Sequence, residues 1–147
     1  MARVDYFAIE QAIQTVLKAA PDLSGTQVVI EEELQFGSEA TPRVGIYLMR
    51  RDAPSGLQAL AAGQQTRFLV RFEIRCAAYS LDAVATAISL RDDLVGKVEV
   101  ALMASRSLNG TVISSWLEGG DLPSAQTGDG WTSRGDVILI ADVKATT

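Results

Sequence analysis

A chain of 147 residues, 48% hydrophobic and 21% charged, has the size and texture of one soluble globular domain able to bury a core. Its net charge of −5 gives no nucleic-acid-binding signature, and the lack of histidine removes the commonest general base and most zinc sites. One cysteine cannot form an internal disulfide, which suits a buried free thiol in a reducing compartment.

The opening "MARVDYFAIEQ" places Asp5 and Glu10 where a signal peptide needs an apolar stretch, and no apolar run approaches a membrane span. Residues 5–20 carry Tyr6, Ile9, Ile13, Val16 and Leu17 at helical spacing, and Pro21 stops that helix. Two strands follow at 26–34 and 43–51. The segment "QFGSEATP" between them, with Gly37 and Pro42, predicts a hairpin-type connection.

Residues 52–65 form a small-residue loop whose Leu57 and Leu60 are too apolar for a free tip. That predicts ordering against a neighbouring molecule. The next segment, "QTRFLVRFEIRCAAYS" (65–80), alternates strictly and reads as a strand with one apolar and one polar face.

A second helix is predicted from about Leu81, capped by Ser80, with Val84, Ala87, Ile88, Leu94, Val95 and Val98 as its apolar stripe. It ends between Ser105 and Asn109. Within it, Asp93 and Lys97 are spaced for a helical ion pair. Two final strands, 111–120 and 130–145, are joined by "GGDLPSAQTGDG", read as a flexible hairpin tip. Trp116 and Trp131, which flank it, are expected in the core. The order is α-β-β-β-α-β-β.

Parity links the first three strands. Even positions are mainly apolar (Val28, Ile30 and Leu34; Val44, Ile46 and Leu48; Phe68 to Cys76), while odd positions hold Gln27, Glu31, Glu33, Arg43, Tyr47, Arg51, Arg67, Arg71 and Arg75. Two amphipathic helices suffice to cover the apolar face. The prediction is an α+β fold: a two-layer α/β sandwich, mostly antiparallel, with its other sheet face polar and uncovered.

Charge is segregated along the chain. Residues 21–40 hold five carboxylates and no base, whereas residues 41–75 hold six arginines against Asp52 and Glu73. Cross-strand pairing within one subunit accounts for this at a few tenths of a kcal/mol per exposed pair, on the order of its usual worth. Meeting of acidic and basic surfaces of neighbouring copies is the sharper reading, since arginine suits bidentate interface pairs. Arg67, Arg71, Arg75, Arg51, Glu31, Glu33, Leu57 and Leu60 are the candidate contact residues. Successive glutamates at 31–33 point to opposite faces and do not make a metal site. The Gly-rich segment lacks the context of a phosphate loop. No catalytic or cofactor-binding set emerges.

The helix "DYFAIEQAIQTVLKAAPDL", the strand "RFLVRFEIRCAAYS" running into "LDAVATAISLRDDLVGKV", and the closing "WTSRGDVILIADVKA" together resemble phage tail terminators, the tail-completion group of head–tail joining proteins. The likeness spans nearly the whole chain through element order, size and texture. It implies a non-enzymatic ring, usually of six copies, that caps the tail tube, ends its polymerisation and joins the tail to the head connector. The implied partners are further copies, the tail tube protein and the head–tail connector. The implied location is the tail or neck of a virion assembled in a bacterial cytoplasm, with no membrane and no cofactor. DNA would pass through such a ring without specific recognition. A head-completion or connector adaptor and a small-molecule-binding α/β domain stay open as alternatives.

Overall fold

The computed structural model describes residues 4–31, 42–52, 67–120, 124–127 and 130–144. Helix α1 spans Tyr6–Ala19, and the Asp5 carboxylate caps it by accepting from the Ala8 N–H at 3.0 Å. A 3-10 turn at Pro21–Leu23 follows, where proline cannot continue the helix. Strands β1 (Gln27–Ile30), β2 (Arg43–Asp52) and β3 (Arg67–Ser80) come next, then α2 (Val84–Met103). Strands β4 (Ser114–Glu118), β5 (Ser124–Thr127) and β6 (Gly130–Lys144) complete the chain.

The sheet order is β1-β2-β3-β6-β4, with β5 also paired to β6. Every described pairing is antiparallel except β1 with β2. The predicted α+β sandwich with order α-β-β-β-α-β-β is therefore correct, with the short β5 added. Ile9, Ile13 and Leu17 of α1 pack with Val44 and Ile46. Leu94, Val98 and Leu102 of α2 lie in the same core as Phe72, Ile74 and Leu139. Val70, Phe72, Ile74 and Cys76 are fully buried, as their shared parity requires. Burial pushes the Cys76 thiol far above its ordinary pKa, which leaves it an inert packing group.

Several expectations need correction. The first two strands do not form a hairpin: Gln27 pairs Arg43 and Ile30 pairs Ile46 in a parallel ladder. Parallel neighbours cannot be joined by a tight two-residue turn, and the segment between them lies largely outside the described residues. Strand β1 ends at Ile30: Glu31 still donates its N–H to the Ile46 carbonyl at 2.8 Å, but its left-handed φ of 49° departs from the extended conformation. Its predicted continuation to residue 34, including Glu33, lies outside the described residues.

Helix α2 starts at Val84, not Leu81. Ser80 remains in β3, paired with Trp131, and its Oγ accepts from the Asp82 N–H at 3.1 Å. Val84 is exposed, and the buried stripe is Ala87, Arg91, Leu94, Val98 and Leu102. Residues 124–127, expected in a flexible tip, form β5. Strand β4 pairs only with residues 138–142 of β6, and β5 covers residues 130–133 of the same edge. Without it, more backbone of a 15-residue strand would lie unpaired.

A bulge between Leu48 and Arg50 changes the parity of β2. Arg50 stands opposite Arg71, and Arg51 opposite Val70. Arg51 therefore leaves the polar face on which alternation alone would put it. Its guanidinium sits 5.5 Å from the Phe68 ring centroid and donates to the Tyr6 hydroxyl at 3.3 Å, closing the rim of the core.

Glu10 is the one acidic residue on the buried side of α1. Its Oε2 has no hydrogen-bond partner among the described residues. Burial, with Glu31 adding repulsion, pushes its pKa from 4.5 up to about 7. A carboxyl raised on folding stabilises the fold fully below its unfolded pKa, and that stabilisation is lost as pH rises through the folded one. Wild-type stability should thus fall between pH 4.5 and 7, by up to about 3 kcal/mol. Glu10→Gln should remove that slope whatever its absolute stability. Urea melts of both proteins at pH 5 and 8 provide the check, and parallel pH dependences would refute the assignment.

Candidate functional site

Antiparallel register puts directly opposed residues on one face, so the pairings map the sheet side that the helices leave open. One row runs Arg43–Ala77–Arg134 and the next Gly45–Arg75–Asp136. Then come Tyr47–Glu73–Ile138–Glu118 and Arg50–Arg71–Ile140–Trp116. Asp52–Leu69–Asp142–Ser114, Arg67–Lys144 and, at the other end, Tyr79–Thr132 also belong to it. Basic side chains outnumber carboxylates on it, although the whole chain is acidic.

Arg67, Arg71 and Arg75 all lie on this face, and each has a partner in its own subunit. Arg67 pairs with Asp142, Arg71 with Glu118 at 2.7 Å, and Arg75 with Glu73 at 2.8 Å. Arg67 and Arg71 thus pair across strands and Arg75 along its own strand, which differs from the expected pairing with residues 21–40. The carboxylates come instead from β3, β4 and β6. Of the other candidates, Glu31 is exposed just past β1, and Arg51 lies on the opposite, helix-covered side of the sheet. Glu33, Leu57 and Leu60 lie outside the described residues.

The face divides into two zones. Around Arg75 it is densely packed and polar. Arg43 and Asp136 are almost fully buried although their register puts them on the side away from the two described helices. Arg134 pairs with Asp136 at 3.0 Å. Burial raises the Asp136 pKa; Arg134 opposes that shift, and Glu73 adds to it. Tyr47 folds across Gly45, and the Arg75 guanidinium stacks 4.2 Å from the Tyr47 ring centroid. Burial also raises the Tyr47 pKa, with Arg75 pulling the other way.

The second zone is apolar and aromatic. Ile140 is only 1% exposed, flanked on opposite sides by Arg71 and Trp116. Trp116 itself is 41% exposed and Leu69 38%, with Met49 in the bulge 49% exposed. Trp116 was expected in the core. It is not there because its neighbours Ser115 and Leu117, of the opposite parity, take the core-facing positions of β4. Trp, Arg and Met in one patch is the composition of an interface centre. Assigning β4 its parity from Leu117 would have exposed this in the sequence. The bulge at Met49 left no comparable signal.

The Tyr47–Gly45 contact can be tested alone. A Cβ at Gly45 would lie 2.6 Å from the Tyr47 ring, so Gly45→Ala must displace the ring and its Arg75 stack. The expected cost is about 1–3 kcal/mol of folding stability, as for other overpacking changes. In a Tyr47→Ser background the same substitution should cost almost nothing. Denaturant melts of the two single variants and the double variant measure this coupling, and additive effects would disprove it.

No protein-family model matches the chain, and no curated protein matches it. Among solved structures, it is similar to a chain of the virion of a native gene transfer agent particle. The TM-score is 0.51 at 15% sequence identity, over 92% of this chain and 94% of the other. At that identity the likeness shows a shared fold.

Proposed function

We propose that this protein is a structural subunit of a phage-like virion, and specifically a tail terminator. In this role it forms a ring that caps the tail tube, ends tube polymerisation and presents a surface to the head connector. The observation that carries the reading is the fold shared, over 92% of this chain, with a chain of a gene transfer agent virion. Two features of the chain support it. The open face combines a positive surplus with exposed Trp116 and Leu69, and a sheet side of this composition suits contact with other protein. The chain also lacks histidine, and its cysteine is buried, which favours a non-enzymatic role.

The test is the mass of the purified protein alone and with isolated tail tubes, read by analytical ultracentrifugation and negative-stain microscopy. A closed ring that binds tube ends and blocks further tube growth is the expected result. Binding to head connectors with no affinity for tubes would replace the terminator by a head-completion adaptor. A monomer that binds neither would sink the virion reading altogether.

Within this role, Arg71→Glu should leave a cooperative melt almost unchanged, because its pair with Glu118 is surface-exposed and worth about 0–1 kcal/mol. It should weaken association roughly thirtyfold or more, since unpairing a desolvated interface charge costs about 2–5 kcal/mol. Sedimentation of wild type and variant, with melts alongside, makes the comparison. Equal assembly by both would remove Arg71 from the interface.

A further inference from the structure

We infer that the subunits associate head to tail, the outward ridge of α2 on one copy docking onto the open sheet face of the next. This rests on the ring reading above and adds which two surfaces meet. The ridge is formed by Asp92, Gly96, Val100 and Met103, which helical spacing places on the side of α2 away from its buried stripe.

Three observations mark this ridge as a contact surface. Val100 is 67% exposed and Met103 55%, an apolar pair largely uncovered by the described residues. Beside them, a cleft of about 530 Å³ is lined by Asp92, Glu99, Glu118 and Asp136 and by no basic residue. Arg91, Arg71 and Arg134 pair with three of these carboxylates from outside it, which leaves Glu99 as the acidic group of α2 with no ion pair among the described residues. Gly96, between Asp92 and Val100, has nothing within 4 Å of where a Cβ would sit. A mid-helix glycine weakens a helix relative to alanine, and packing inside the subunit gives no reason for this one. It leaves a dent in which a neighbour's side chain can approach the helix backbone.

The open sheet face supplies the complement. It offers Arg50 and Arg71 beside exposed Trp116 and Leu69, so basic and apolar groups meet acidic and apolar ones. Such a contact is heterologous: the two surfaces differ, each copy carries both, and repetition closes into a ring when the rotation allows. A sheet-to-sheet contact would instead bring the positive surplus of one face against its own copy.

The experiment uses the full chain with two double variants. Arg50→Glu with Arg71→Glu disables the sheet surface, and Asp92→Lys with Glu99→Lys disables the α2 surface. Neither should assemble alone where wild type does. Mixed in equal amounts, they should form a one-to-one pair that grows no further, since only one intact surface of each remains. The α2 variant assembling like wild type would overturn the inference, as would a mixture that stays monomeric. Wild type that never self-associates would instead overturn the ring itself.

Gly96→Ala gives an independent reading. It should raise the melting temperature of the subunit by a few degrees, having room for its methyl group, yet weaken assembly by about tenfold. A stabilised subunit that assembles with unchanged affinity would show that the dent is unused.

Discussion

The antiparallel pairing of β3 with β6 is the constraint on which the rest of this structure depends. It runs unbroken from Arg67 opposite Lys144 to Ser80 opposite Trp131. Because side chains alternate, this one register decides the face of every residue on both strands. It puts Val70, Phe72 and Ile74 beside Ala141, Leu139 and Val137, and so builds the floor on which α2 rests. The same register sends Arg71, Glu73 and Arg75 to the other side with Ile140, Ile138 and Asp136. A slip of one residue would bury three arginines and expose the core, which is why the register is so strongly fixed. Helix placement, β4 and β5 pairing and the composition of the open face all follow from it.

That register was legible because strict alternation in residues 68–76 is a local signal that burial on one side enforces. The first helix was legible for the same reason, its apolar positions and Pro21 being local. What escaped depended on contacts distant in sequence or on departures from period two. The parallel alignment of β1 with β2 is a matter of topology, and no residue in either strand announces direction. The bulge beside Leu48 adds one residue and moves Arg51 to the opposite face, a reversal that an alternating pattern cannot forecast. Glu10 and Arg91 occupy buried helix positions where hydropathy gives only a polar letter.

The candidate surface was half legible. Alternation on β3 disclosed the arginine trio and its exposure. Glu73, two residues before Arg75 on the same strand face, was legible as its partner, whereas Asp142 and Glu118 lie on strands whose neighbours no local pattern gives. The composition of the patch was also hidden: Trp116 and Leu69 join Arg71 only after β4, β6 and β3 are laid side by side. Apolar groups on a polar strand face look like noise one strand at a time and become a patch in the assembled sheet.

In the proposed role, the open face meets two opposed demands. A subunit must stay soluble until it meets a partner, and then give up its solvent. Arginine stems and the Trp116 ring shield Ile140 without a second layer, so the face stays polar at its tips and apolar beneath. The pairs of Arg67 with Asp142 and Arg71 with Glu118 hold those tips in place at little cost, since ion pairs open to solvent contribute little to folding. Exchanging such a pair for one across an interface is then nearly neutral. The drive for association comes from the apolar area removed from water, at about 25 cal/mol per Å² before the cost of ordering. In the proposed ring, matched charge would set which surface docks and in what orientation, with an unmatched charge costing affinity. Trp116, Leu69 and the groups that meet them would supply the favourable part of the binding energy.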